Sequence, residues 1–161
     1  SLVSAYPIVG VDLYDFKLEH ATKFGLNHGV LNQEKDMDKI IRNLVGEKGA
    51  DIVVDTTGNT KVIEKAYELT HPDGKTILCG VPNSKENINI HTLPLHFKKI
   101  LKGSHGGDAK PDLDIPRYIK LIKANKMSLD SLITHEFNLE NINDAVQALR
   151  EGKTGRIIIK M

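Results

Sequence analysis

The chain has 161 residues and a formal net charge of +1, with 40% hydrophobic and 27% charged residues, enough for one soluble domain with its own core. Acids and bases are interspersed, so no basic face exists to attract nucleic acid or an anionic membrane. The single cysteine, Cys79, excludes an internal disulfide or a cysteine-based zinc cluster and fits a reducing cytoplasm, and no stretch suits a signal peptide or a membrane span.

In chain order, Tyr6 to Asp12 reads as a buried strand ending in an acid, preceded by Ser1 to Ala5, which suits the last turn of a helix. Tyr14 to Phe24 carries Leu18 and Ala21 at helical spacing and stops at Gly25. Gly29 to Asn32 is a brief strand. The apolar face of Ile40, Ile41, Leu44 and Val45 then predicts a helix from Asp36 to Val45, closed by Gly46 and Gly49. Asp51 to Asp55 is a short β-branched run, expected as a central parallel strand covered on both faces, with Thr56 to Asn59 as its exit loop.

Asn59 or Thr60 can cap a helix carrying Val62, Ile63, Ala66, Tyr67 and Leu69, which Pro72-Asp73-Gly74 breaks. Lys75 to Val81 reads as another buried strand, Ile88 to Ile90 as a further one, and Leu93 to Phe97 as a turn or short helix. Lys99 to His105 reads as an edge strand whose flanking lysines discourage mispairing. A helix from Ile115 to Ala124, opened by Asp114 and Pro116, and an alternating segment from Leu132 to Phe137 follow. A final helix, capped by Asn138 and closed by Gly152, leads to a strand from Gly155 to Lys160.

Strands alternating with helices predict a Rossmann-like, doubly wound parallel sheet in a single domain spanning residues 1–161. In a dinucleotide-binding unit the first strand feeds a G-x-G-x-x-G loop and an acid about 20 residues later binds the ribose. Asp12 has the place of that acid, but the sequence holds no such loop, so the sheet is expected to lack its first strand. The strands ending at Asp12 and Asp55 would then either pair directly or receive another segment between them.

The order of Val9-Gly10-Val11-Asp12 with Lys17, Gly49 to Asp55 with Gly58, Cys79-Gly80-Val81-Pro82, Lys102-Gly103-Ser104, Leu132 to His135 and Gly155-Arg156 resembles the C-terminal cofactor domain of zinc-containing, medium-chain alcohol dehydrogenases. The resemblance covers essentially the whole chain. It implies an NAD-binding part of an alcohol or polyol dehydrogenase, with the catalytic zinc domain absent from this chain and no catalytic group within it. Asp12 would be the ribose acid, favouring NAD over NADP, and Lys17 the cation beside it. Thr56 and Thr57 would wall the cofactor cleft, Cys79, Gly80 and Val81 would lie against the nicotinamide, Ser104 and Gly106 would hold its carboxamide, and Arg156 would pair with the pyrophosphate.

Each of these residues also has an ordinary structural reading: Asp12 as a turn opener, the threonines as β-branched fillers, Gly80 as a strand-end turn, and Lys17 and Arg156 as surface charges. The seven histidines form no zinc spacing, so no metal site is expected in the chain. The family resemblance further implies a homodimer through the edge strand near Lys99 to Ser104. A non-catalytic remnant or oligomerisation module is the rival function, and a methyltransferase would also be expected to show a glycine-rich loop.

Overall fold

The structure is a computed structural model and describes residues 4–152 and 154–161. Among the described residues seven strands and five α-helices follow one another, alternating except where β5 succeeds β4: β1 (Val9–Asp12), α1 (Asp15–Thr22), β2 (His28–Leu31), α2 (Met37–Val45), β3 (Ala50–Asp55), α3 (Thr60–Leu69), β4 (Thr70–Leu78), β5 (Ile100–Gly103), α4 (Pro111–Lys123), β6 (Ile133–Asn138), α5 (Ile142–Arg150) and β7 (Arg156–Lys160). Every strand pairing is parallel, in the orders β1-β2, β3-β4-β5 and β6-β7. This is the α/β, parallel-strand architecture that the alternation predicts.

The chain divides into two compact units, one made of the segments up to Asn32 and from Lys110 onward, the other of Gln33–Ala109. In the first, Leu18 and Val30 are buried, joining α1 to β2. Gly10 and Gly29 lie so close to the Leu26 and Leu18 side chains that an added Cβ would come within 2.8 and 2.9 Å of them. In the second unit Ile41 of α2 and Ile63, Ala66, Tyr67 and Leu69 of α3 form the core. The Asn59 side chain caps α3 by accepting from the N–H groups of Lys61 (2.9 Å) and Val62 (3.3 Å).

Several expectations need correction. Ser1 to Val3 lie outside the described residues, while Ser4 and Ala5 are non-helical. Among the described residues β3 pairs with β4 alone, and Ile52 and Val54 are 62% and 53% exposed, so β3 is not covered on both faces.

Pro72-Asp73-Gly74 does not separate α3 from β4. The helix ends at Leu69 and the strand begins at once, because the register jumps from Ala50 opposite Thr70 to Ile52 opposite Lys75 and bulges the intervening residues outward. Ile88 to Ile90 forms no strand. Helix α4 starts at Pro111 instead of Ile115, with Pro111 in its first turn, where a missing N–H costs nothing, and Pro116 inside the helix. Asn138 gives no side-chain cap. A short 3-10 turn, Leu139–Asn141, separates it from α5.

Candidate cofactor site at the strand ends

The residues singled out by sequence fall into two groups, one in each unit. In the second unit Thr56 and Thr57 follow β3, Cys79, Gly80 and Val81 follow β4, and Ser104 and Gly106 follow β5. Because these three strands run parallel, all seven residues stand at the carboxyl end of one sheet. Open α/β sheets bind ligands in the crevice outside those ends.

Asp55, which sequence reading passed over as a strand terminus, organises this end. It is 2% exposed, and its carboxylate accepts from the Thr57 N–H (3.1 Å), the Thr57 hydroxyl (2.7 Å) and the Gly58 N–H (3.0 Å). Its carbonyl accepts from the N–H groups of Cys79 (2.8 Å) and Gly80 (3.0 Å), tying the β3 loop to the β4 loop. The signal was present as an Asp followed by Thr-Thr-Gly, since a short carboxylate at a strand end bonds its own backbone two and three residues on.

The same contacts change the meaning of two predicted residues. The Thr57 hydroxyl is spent on Asp55 while accepting from the Asn59 N–H (3.0 Å), so it shapes the loop. Gly80 is a glycine for a reason independent of any ligand: a Cβ there would lie 2.1 Å from the Gly58 nitrogen and 2.7 Å from Thr57 backbone atoms. Gly58 has φ +69°, and its own Cβ would meet the Val81 carbonyl oxygen at 2.5 Å. Two glycines let two loops touch.

Around them the surface is open. Thr56, Thr57, Cys79 and Val81 are exposed, Val81 to 90%, and Cys79 is a free thiol. Ser104 donates its N–H to the Leu78 carbonyl (2.8 Å), prolonging the β4-β5 ladder, and its hydroxyl accepts from the Gly107 N–H (3.0 Å). That bond sets the left-handed Gly106-Gly107 turn, where φ is +59° and +70°.

In the first unit Asp12 ends β1, and one carboxylate oxygen accepts the Tyr14 N–H (3.1 Å). The turn-opening role is therefore real, and it leaves the second oxygen for another donor. The Lys17 ammonium lies 5.0 Å from the centre of the Tyr14 ring, a cation–π pairing, and Tyr14 packs so tightly on Gly152 that a Cβ there would fall 2.5 Å from its ring. Sequence reading missed Tyr14. Arg156 begins β7 instead of following a strand's carboxyl end, and its exposed guanidinium has no hydrogen-bond or ion-pair partner among the described residues.

The described residues hold no cluster of three or more His, Cys, Asp or Glu able to grip a metal ion. They do not fit a zinc site. No helix among them is long and apolar enough to cross a membrane.

Comparison with known proteins places these features in context. A family model described as zinc-binding dehydrogenase matches residues 3–124. The chain is 32% identical to alcohol dehydrogenase 2 of Zea mays, with 99% of this chain and 43% of the relative aligned. It is 35% identical to alcohol dehydrogenase-like 7 of Arabidopsis thaliana, over 99% of this chain and 42% of that one. The crystal structure of benzyl alcohol dehydrogenase from Acinetobacter calcoaceticus superposes with a TM-score of 0.88 at 24% identity, covering 98% of this chain and 43% of that one, and so shows the fold. The chain spans about two fifths of the length of the curated relatives it matches.

Proposed function

The chain belongs to the zinc-binding dehydrogenase family, and on that premise we propose that it is the NAD-binding part of an alcohol or polyol dehydrogenase. The observation that carries the reading is the convergence of Thr57, Gly80 and Ser104 on the carboxyl end of β3-β4-β5. NAD would supply the hydride acceptor. The chain's own task would be to bind and orient it, with zinc held by another part of a longer protein.

Asp12 would accept from a ribose hydroxyl through its second oxygen, and its charge would repel a 2'-phosphate. Lys17 would flank the ribose, Cys79 and Val81 would offer a surface to the nicotinamide, and backbone groups around Ser104 and Gly106 would take its carboxamide. Arg156 would pair with the pyrophosphate through its planar fork. The lone thiol supports a reducing, cytoplasmic setting.

A homodimer would form through β5, the outer strand of its sheet. Ser104 N–H points to β4, so by alternation Leu101 N–H points to the outer edge, where a second copy would take it up. The test of cofactor choice is Asp12→Ala in the full-length enzyme. It should raise the Michaelis constant for NAD and relax discrimination against NADP, and an unmoved preference would refute the ribose role.

A further inference from the structure

A cavity in the Gln33–Ala109 unit is lined by residues other than those of the strand-end loops. Helices α2 and α3, the segment Asn89–Pro94 and Lys99 line an open cleft of about 360 Å³, and none of its lining residues belongs to the proposed cofactor site. The volume is at the lower end of the range used by small-molecule sites.

Two cations face it. Lys99 is 8% exposed, so it is not the solvated edge lysine the sequence suggested: its ammonium donates to the Thr70 carbonyl (2.8 Å) and sits 4.2 Å from the centre of the Tyr67 ring. Arg42 donates to the carbonyls of Glu47 (2.8 Å) and Glu68 (3.1 Å). Both thus meet carbonyls at the end of α3, where a helix carries partial negative charge, but about half an elementary charge there does not neutralise two cations.

The acids lining the cavity are committed elsewhere. Glu64 holds Lys61 (2.9 Å) and the Asn89 N–H (2.8 Å), and Glu68 holds Lys65 (2.8 Å). Among the described residues neither Arg42 nor Lys99 has a carboxylate within ion-pair distance. Burial and then the nearby Arg42 charge push the Lys99 ammonium below its ordinary value, partly offset by the more distant Glu68 carboxylate.

We propose that this cavity binds a small oxyanion, the carboxylate or phosphate group of a metabolite, between the Lys99 ammonium and the Arg42 guanidinium. One oxygen would take a remaining Lys99 proton and another a remaining Arg42 N–H, each terminal guanidinium nitrogen having one proton beyond the one it gives to a carbonyl. The Tyr67 hydroxyl is not available to it, since it donates to the His91 carbonyl (2.9 Å).

Calorimetric titration of the protein with inorganic phosphate, and separately with acetate, at ionic strength held constant with chloride, tests this. Saturable binding is expected for at least one of them, weakened about tenfold or more in Lys99→Met and in Arg42→Gln, as for loss of a charge-assisted hydrogen bond. The stronger of the two anions identifies the group recognised. Should a variant fail to fold, amine acetylation of the unmodified protein mapped by mass spectrometry decides: the anion should slow modification of Lys99 and leave neighbouring, exposed Lys98 unchanged. Absence of saturable binding with Lys99 labelling equal in phosphate, acetate and chloride, or undiminished binding in folded Lys99→Met, would overturn the proposal.

Discussion

Replacing Asp55 by Asn isolates the role of one buried carboxylate, because the two side chains are nearly the same shape. Asp55 offers one oxygen to the Thr57 N–H and hydroxyl and the other to the Gly58 N–H. Asn keeps one acceptor and puts an NH2 in place of the other, so donor meets donor on one side, and if that side is Gly58 a buried N–H goes unmet. A hydrogen bond to a charged group contributes about 1.5–3 kcal/mol and an unsatisfied buried donor costs about 1–3 kcal/mol, partly offset by relief of a buried charge. The net expectation is a loss of about 2 kcal/mol for Asp55→Asn and about 4 kcal/mol for Asp55→Ala, which loses all three acceptances. At roughly 2–4 °C per kcal/mol for a chain of this size, Asp55→Asn should lower Tm by about 4–8 °C. Calorimetric melting reads this directly. A Tm within about 1 °C of the parent would mean that the carboxylate does not hold the β3 loop, and the account of the site's scaffold would fall with it.

Other outcomes follow from the same geometry. Gly80→Ala should destabilise severely, since its Cβ would overlap Gly58 and Thr57 backbone, whereas Gly103→Ala meets nothing within 4 Å and should be nearly neutral; equal melting temperatures for the two would refute the loop-contact argument. Glu64 is held below its ordinary 4.5, first by the Asn89 N–H and then by Lys61. Its contribution is therefore present above that value and lost as pH falls through the lowered one, so the stability gap between parent and Glu64→Gln should close on acidification, and denaturant melts showing a constant gap would contradict this. Leu101→Pro removes an outer-edge donor while sparing the bonds to β4, so sedimentation should show a monomer, and a persistent dimer would exclude β5 edge pairing. The 161-residue chain alone should bind NAD weakly, because its sequence holds no G-x-G-x-x-G loop to grip the pyrophosphate; a micromolar Kd by calorimetry would disprove that.

Much of this was legible in the sequence where a pattern is local. The period of Ile63, Ala66 and Leu69 placed α3, and the Asn59 cap is where the polar residue before that run put it. What failed depends on contacts between distant segments. The β-branched run of β3 looks like a strand covered on both faces, yet whether it has a partner on each side is a property of pairing, and Ile52 and Val54 lie exposed. Lys99 reads as a surface charge by letter, and only the meeting of β5 with the end of α3 buries it against Thr70. Gly80 was singled out for a ligand, yet what requires a glycine there is the backbone of Gly58, a loop residue 22 positions earlier. That the candidate residues of the second unit stand at one end of a sheet was foreseeable, because the ends of successive parallel strands converge whatever their letters. Their hydrogen bonds were not.

The claim that the carboxyl ends of these strands hold a dinucleotide is tested most directly by hydrogen exchange of the protein with and without saturating NAD, read by mass spectrometry. The account predicts slowed exchange in peptides carrying Asp12 to Lys17, Thr56 to Asn59, Cys79 to Val81 and Ser104 to Gly106, with the Gly46 to Gly49 turn before β3 unchanged. Protection confined to that opposite turn, or no protection at any of the four strand ends while NAD is bound, would contradict it.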